Sequence, residues 1–281
     1  MVRNPLAALL VSVWAGLVAL PASGDKPAKP AQAAPKLDLA RLKRALEAGN
    51  EAEKLAALAE LAAAPKGSAP AAALLVNDVL TRGASAAVLE KALDAEHELA
   101  QPSSSAVVVP YVRHRNAPLR RAATRALAAT GGPIAVTALR GLLRGSDPAL
   151  RRQAASALAT LEAGEAVDDL FAVLGKDVPE AAAAIGELCK PNDCQKLIEL
   201  IGKLPFDVMQ TGLEPLLLRP ETELSEAFKL ELLERLRKLQ TPEVSVFLRT
   251  VLARFPKDGN VRVRAGIEAA ASGKPVTNRK P

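Results

Sequence analysis

The sequence predicts an all-α protein, an α-solenoid of stacked antiparallel helical hairpins. Its composition favours helices, because 49% of the 281 residues are hydrophobic, only 2% are aromatic, and alanine dominates the apolar set. Two stretches, LRRAATRALAAT at 119–130 and LRRQAASALATL at 150–161, are near copies of each other. A helix that recurs at a fixed interval indicates a repeat architecture.

The copies extend beyond these two helices. Leu119 aligns with Leu150 and Leu127 with Leu158, each pair 31 positions apart. A third copy, DVPEAAAAIGELCKPNDCQKLIELIGKL, begins at Asp177. Each copy contains two short amphipathic helices that cannot bury both of their faces alone, so we expect each hairpin to stack on its neighbours.

The second copy shows how each hairpin is specified. Asp147 is an expected N-cap with Pro148 in the first helical turn, and Asn116 and Asp177 hold similar places. A glycine-bearing turn, at 131–132 or at 164, then separates the first helix from the second. One apolar stripe follows the helical period at Leu150, Ala154, Leu158 and Leu161.

The remaining segments also have helical patterns. Residues 37–100 pair as hairpins built from LARLKRALEAG, EKLAALAELAAA, AAALLVNDVLTRG and SAAVLEKALDAEHELA. AQPSSS at 100–105 is predicted to be an inter-repeat loop, with a domain boundary as the alternative, and AVVVPYVRH then begins the next hairpin. Toward the end, SEAFKLELLERLRKL and PEVSVFLRTVLARF are predicted helices, and DGNVRVRAGIEAAASG at 258–273 is predicted to be one more inner helix. The expected total is about seven or eight hairpins.

An Asp/Asn-Pro start followed by LRRQAASAL or LRRAATRAL, and then by a second amphipathic helix, resembles the HEAT-like repeat family. The resemblance is to the short bacterial form first recognised in phycobilin lyases, and it is clearest over 105–204 and 258–272. It implies a solenoid over 37–272. Phycobilin lyase activity is not expected, because the chain has few aromatic side chains to hold a tetrapyrrole and a start typical of exported proteins.

The two ends have different compositions from the repeats. Residues 1–24 have one cation, Arg3, an apolar run and a small-residue end, which is typical of a secretory signal peptide cut after Gly24. An uncleaved N-terminal anchor is the alternative. Residues 25–36 form a Pro/Ala/Lys-rich linker, and 273–281 form a flexible basic tail. We therefore expect a periplasmic or secreted protein that meets the membrane only through its signal peptide.

Cys189 and Cys194 stand in the stretch CKPNDC. In an oxidising compartment this pair is a disulfide candidate, and two unpaired thiols are the alternative. No metal site is expected, because His97 and His114 are far away in sequence and there is no second cysteine pair.

The sequence gives no indication of an enzyme. It has no G-x-S-x-G, H-E-x-x-H, G-x-x-x-x-G-K or G-x-G-x-x-G motif. His97 lies between carboxylates in DAEHELA and is expected on the surface, and His114 lies in YVRHRN at a helix end. We therefore expect no catalytic residues and no cofactor.

Charge is the more informative feature. Residues 113–152 contain nine arginines and one carboxylate, Asp147, whereas 162–187 contain seven carboxylates and one cation, Lys176. These two bands could neutralise each other between successive repeats. Alternatively, some arginines could form a ladder that binds an acidic partner. The candidate ladder residues are Arg113, Arg115, Arg120, Arg121, Arg151 and Arg152.

These features predict a non-catalytic protein-binding scaffold or adaptor that acts in the cell envelope or outside the cell. The expected partner is another protein with an acidic surface. An acidic non-protein ligand, such as an envelope polyanion, is the alternative. Nucleic acid is not expected, because recognition of bases needs stacking aromatics and the chain after residue 24 has only Tyr111 and five phenylalanines.

Overall fold

The computed structural model describes residues 37–176 and 178–276. The predicted signal peptide and linker, residue 177 and the last five residues of the tail lie outside these ranges. Within them the chain is all-α and contains no strand, which confirms the predicted fold class. No helix in this part of the chain is both long and apolar enough to cross a membrane.

Fifteen α-helices follow one another along the described residues, with three short 3-10 turns at Pro102–Ser104, Val109–Arg113 and Gly164–Ala166. The helices are α1 Leu39–Ala48, α2 Glu51–Ala62, α3 Ala69–Arg82, α4 Ala86–Leu99, α5 Ser105–Val108, α6 Ala117–Thr130, α7 Gly132–Leu143, α8 Pro148–Thr160, α9 Val167–Leu174, α10 Pro179–Leu188, α11 Pro191–Ile198, α12 Phe206–Leu218, α13 Glu226–Leu239, α14 Pro242–Arg254 and α15 Val261–Ala271.

The helices stack in two layers. The even-numbered helices from α2 to α12 each pack on the next even-numbered helix, and the odd-numbered helices from α1 to α9 do the same on the other side. This alternation is the stacking of hairpins that the repeat predicts. Helix α15, which occupies the predicted repeat helix near the end of the chain, packs against both α13 and α14.

Small residues allow the even-numbered helices to approach closely. Ala122, Ala123 and Ala126 of α6 are fully buried between its neighbours. The closest approach is between α10 and α12, where a Cβ atom on Gly186 would lie 2.1 Å from the carbonyl oxygen of Gly212. The alanine and glycine content therefore sets the spacing between helices in this layer.

The predicted N-caps form at some repeats only. The carboxylate of Asp147 accepts hydrogen bonds from the backbone N–H groups of Ala149 and Leu150, at 3.0 and 3.3 Å. Asn116 precedes α6 but its side chain caps no N–H group there. Asp177 lies outside the described residues.

The segment after the AQPSSS loop differs from the expected helix. Only Ser105–Val108 is α-helical, and Val109–Arg113 continues as a 3-10 turn. Pro110 has no N–H group to donate to a carbonyl oxygen of the preceding helical turn. The odd-numbered layer therefore contains a mixed segment, α5 between two 3-10 turns, where one continuous α-helix was expected.

Candidate functional site

Arg120 and Arg151, two of the candidate ladder residues at matching repeat positions, are bonded to their own repeats. Nη1 of Arg120 donates to the carbonyl oxygens of His114 and Arg115, both at 3.1 Å. Nη1 of Arg151 donates to the carbonyl oxygen of Gly145 at 2.8 Å. Each arginine thus holds the loop that precedes its own helix.

Two further cations have the same role near the end of the chain. Nη2 of Arg264 donates to the carbonyl oxygen of Pro256 at 2.7 Å, and Nζ of the buried Lys229 donates to the carbonyl oxygen of Arg219. Sequence reasoning missed this role. The signal was present, because each of the four cations stands four positions after the residue that precedes its helix, namely Asn116, Asp147, Ser225 or Asn260.

Other arginines of the basic band pair with the acidic band of the next repeat. Asp169 of α9 is 8% exposed and accepts from Nε of Arg140 and Nη2 of Arg144, both at 2.6 Å. Burial alone would raise the pKa of Asp169, but the hydrogen bonds from the two arginines lower it below its usual value. This cluster joins α7 to α9.

Three more ion pairs cross between helices along the same stretch. Arg125 lies 2.8 Å from Asp94, Arg120 lies 3.3 Å from Asp147, and Arg152 lies 3.9 Å from Glu180. All three pairs are partly exposed, so each contributes little to stability by itself. Much of the basic band is therefore neutralised by neighbouring repeats.

Arg113, Arg115 and Arg121 are different. Their side chains are exposed, and none of the three guanidinium groups forms a hydrogen bond or ion pair with another residue of the described ranges. We call these three residues the basic surface. Arg113 ends the 3-10 turn after α5, Arg115 lies in the following loop and Arg121 lies in the first turns of α6.

A groove of about 950 Å³ adjoins the basic surface. It lies between the 3-10 turn Val109–Arg113 and helix α7, and the start of α8 contributes to it. Its lining includes the apolar side chains of Pro110, Ile134 and Leu142. Ile134 is 51% exposed, which is high for a large aliphatic side chain.

Glu96 of α4 is a second feature that sequence reasoning missed. Its side chain is fully buried, and neither carboxylate oxygen has a well-formed hydrogen bond within the described part of the chain. Burial raises the pKa of Glu96 to about 7, and the nearby hydroxyl of Ser104 offsets part of this shift. Ser104 also accepts from Nδ2 of Asn77 at 3.0 Å, which links α3 to the serine-rich turn.

Cys189 and Cys194 are bonded in the structure, with sulfur atoms 2.06 Å apart. Both side chains are buried, and the bond joins the end of α10 to the first turns of α11. Nη1 of Arg219 donates to the carbonyl oxygen of Cys189 at 2.9 Å, so the same corner is also held from α12.

The two histidines lie in separate surroundings. Nδ1 of the exposed His97 lies 3.2 Å from the carbonyl oxygen of Arg125, and Nδ1 of His114 accepts from the N–H of Asn116 at 3.1 Å. Among the residues that the structure describes, no group of three or more His, Cys, Asp or Glu side chains is arranged to hold a metal ion.

The family model for HEAT repeats matches residues 75–159. The match starts in α3, before the region where the sequence pattern is clearest, and ends in α8. No curated protein matches the chain.

Comparison with known structures gives several partial matches. The complex of CpcE and CpcF of phycocyanin lyase from Nostoc sp. PCC7120 is 17% identical, with a TM-score of 0.46 over 89% of this chain and 100% of that chain. An engineered protein is 19% identical, with a TM-score of 0.45 over 84% of this chain and 72% of that one.

A homology model of the full-length AP-3 complex, in an intermediate open conformation, gives a TM-score of 0.53 at 14% identity. This match covers 85% of the present chain and 52% of the other, and at this identity the likeness concerns the fold alone. Residues 75–159 thus match the family model for HEAT repeats, and the described part of the chain has an all-α repeat fold.

Proposed function

We propose that the protein is a non-catalytic protein-binding scaffold that acts in the cell envelope or outside the cell and holds an acidic partner at its basic surface. One observation carries the proposal. The side chains of Arg113, Arg115 and Arg121 are exposed and have no partner within the described residues, whereas most neighbouring arginine side chains are bonded to their own or the next repeat.

Arginine suits this role because its planar guanidinium can donate two parallel hydrogen bonds to one carboxylate. A solenoid suits it as well, because stacked hairpins present an extended surface whose shape is fixed by contacts between neighbours. The three side chains lie on two successive elements, the turn before α6 and α6 itself.

The location rests on the first 24 residues, whose pattern is typical of a signal peptide. N-terminal sequencing of the protein from the periplasmic or culture fraction tests it. A chain that begins at Asp25 would support export. A chain that keeps residues 1–24 and stays with the cytoplasmic fraction would contradict it.

The binding role is tested by cross-linked affinity capture of the tagged full-length protein from its native cell envelope. The key variant carries Arg113→Glu, Arg115→Glu and Arg121→Glu. A control variant with the same change in charge carries Lys66→Glu, Arg249→Glu and Lys257→Glu, at exposed positions elsewhere on the solenoid.

The proposal predicts that the wild-type protein and the control capture the same discrete set of proteins, and that the key variant loses it. Capture of the same set by all three would contradict a role for the basic surface. If no protein is captured but acidic polymers bind, with an affinity that falls steeply as salt rises, the partner is an envelope polyanion and the scaffold proposal fails.

A further inference from the structure

Helix α7 has an irregular neighbour on one side of its layer. It is a single α-helix of 12 residues, whereas the segment before it combines α5, of four residues, with the 3-10 turns Pro102–Ser104 and Val109–Arg113. Pro110 lies in the second turn, where it has no N–H group to donate. The groove of about 950 Å³ lies between this turn and α7.

The floor of the groove has the pattern of a helix-packing face. Ile134, Ala138 and Leu142 lie four positions apart along α7, so they form one stripe on the side that faces the groove. Val109 and Pro110 form the opposite wall. Such a stripe is normally covered by the next helix of the layer.

The rim of the groove is basic. Arg113 at one edge has no partner in the described ranges, and Arg144 at the other edge keeps 73% of its side chain exposed although it pairs with Asp169. The carboxylate that lines the groove, Asp147, is already bonded to Arg120. An occupant therefore meets apolar side chains at the centre, the unpaired guanidinium of Arg113 at one edge and the exposed guanidinium of Arg144 at the other.

The backbone around the groove favours a helical occupant. The backbone N–H and C=O groups of α7 bond to each other within the helix, so they cannot form backbone hydrogen bonds with an extended strand. A helix satisfies its own backbone groups and brings only side chains to the groove. The linker at 25–36 carries three lysines and one aspartate, and the tail after residue 276 carries only cations among its charged side chains, so both share the sign of the rim.

We infer that this groove binds one amphipathic helix of an acidic partner protein, with its apolar stripe on Ile134, Ala138 and Leu142 and its carboxylates on Arg113 and Arg144. The inference rests on the proposed scaffold function and adds the mode of binding.

The test uses a synthetic peptide of about 18 residues, long enough to span α7. Its apolar stripe carries leucines at i, i+3, i+4 and i+7, and its other face carries glutamates. A matched peptide has lysines in place of the glutamates. Binding to the full-length protein is measured by fluorescence anisotropy, and helix formation on binding is measured by circular dichroism.

The protein variant is Ile134→Arg, which places a charge on the floor of the groove. Its control is Val246→Arg on α14, because Val246 is also an exposed aliphatic side chain, at 60%. We expect the glutamate peptide to bind the wild-type protein and the control equally. We expect its affinity to fall about tenfold or more with Ile134→Arg, and the lysine peptide to bind about tenfold more weakly than the glutamate peptide.

Equal binding of the two peptides, or no loss with Ile134→Arg, would overturn the inference. A wild-type dimer in sedimentation equilibrium that Ile134→Arg dissociates would also overturn it, because a second copy would then be the occupant. Capture from the envelope separates the two proposals. If Ile134→Arg retains the proteins that the triple arginine variant loses, the scaffold function stands and the helix-binding groove does not.

Discussion

Replacing Glu96 with glutamine should stabilise the protein at alkaline pH. The carboxyl group of Glu96 is 0% exposed and faces no cation that would favour its ionised form. The side chain beside it is the neutral hydroxyl of Ser104, which also accepts from the neutral amide of Asn77. Ionisation therefore places a charge in the core without a partner, which folding opposes.

The size of the effect follows from the pKa. Burial raises the pKa of Glu96 from 4.5 to about 7, and each unit corresponds to about 1.4 kcal/mol of folding free energy. The native state holds this proton more tightly than the unfolded chain. The contribution of the Glu96 carboxyl to the free energy of unfolding is therefore fully present below pH 4.5, declines as the pH rises to 7, and is lost above pH 7. The total change is about 3 kcal/mol.

The assay is thermal unfolding by circular dichroism at pH 5 and pH 8.5, for the wild-type protein, Glu96→Gln and Glu98→Gln. Glu98 is an exposed carboxylate two positions further along α4, so it serves as the matched control. A change of 1 kcal/mol shifts the melting temperature of a chain of this size by about 2–4 °C. The melting temperature of Glu96→Gln relative to that of the wild-type protein should therefore be roughly 6–12 °C higher at pH 8.5 than at pH 5. Parallel pH curves for the wild-type protein and Glu96→Gln would refute the reasoning.

Three other predictions concern the packing and cross-links between repeats. Gly212→Ala places a Cβ atom 2.3 Å from the carbonyl oxygen of Ala182. The free energy of unfolding, measured in urea, should therefore fall by about 2–3 kcal/mol. An unchanged urea midpoint would show that α10 and α12 are not in close contact. Asp169→Asn removes the negative charge that Arg140 and Arg144 share. It should lower the free energy of unfolding by about 1.5–3 kcal/mol in the same assay. A decrease below about 0.5 kcal/mol would mean that solvent already screens the cluster. Reduction of the bond between Cys189 and Cys194 should lower the free energy of unfolding by about 2 kcal/mol. Before reduction, alkylation under denaturing conditions followed by mass spectrometry should find no free thiol. Two alkylated thiols would contradict the bond.

The fold could be predicted from the sequence because helical periodicity and repeat spacing are both local signals. Leu150, Ala154 and Leu158 mark a buried stripe, and their copies 31 positions earlier mark another, so stacking follows from the need to cover both. The shortened α5 was not predicted. Its cause, Pro110, was visible, but the apolar residues around it resembled a continuous helix.

The candidate site was harder to predict because charge patterns do not show where a long side chain turns. Arg120 and Arg121 are neighbours in sequence, yet the first donates to a loop carbonyl and the second is exposed. Glu96 stands among charged residues in DAEHELA, yet its side chain is fully buried beside the hydroxyl of Ser104. Both outcomes depend on how a neighbouring loop or turn folds back onto the helix, which helical periodicity does not specify.

Site-specific photo-cross-linking in living cells tests the central claim, that the basic surface holds a protein partner, most directly. A photoreactive amino acid replaces Arg115 in the basic surface or, in a control, the exposed Val261 on α15. We predict discrete adducts with a few proteins from position 115 and none from position 261. Adducts from position 261 alone, or the same adducts from both positions, would contradict binding at the basic surface.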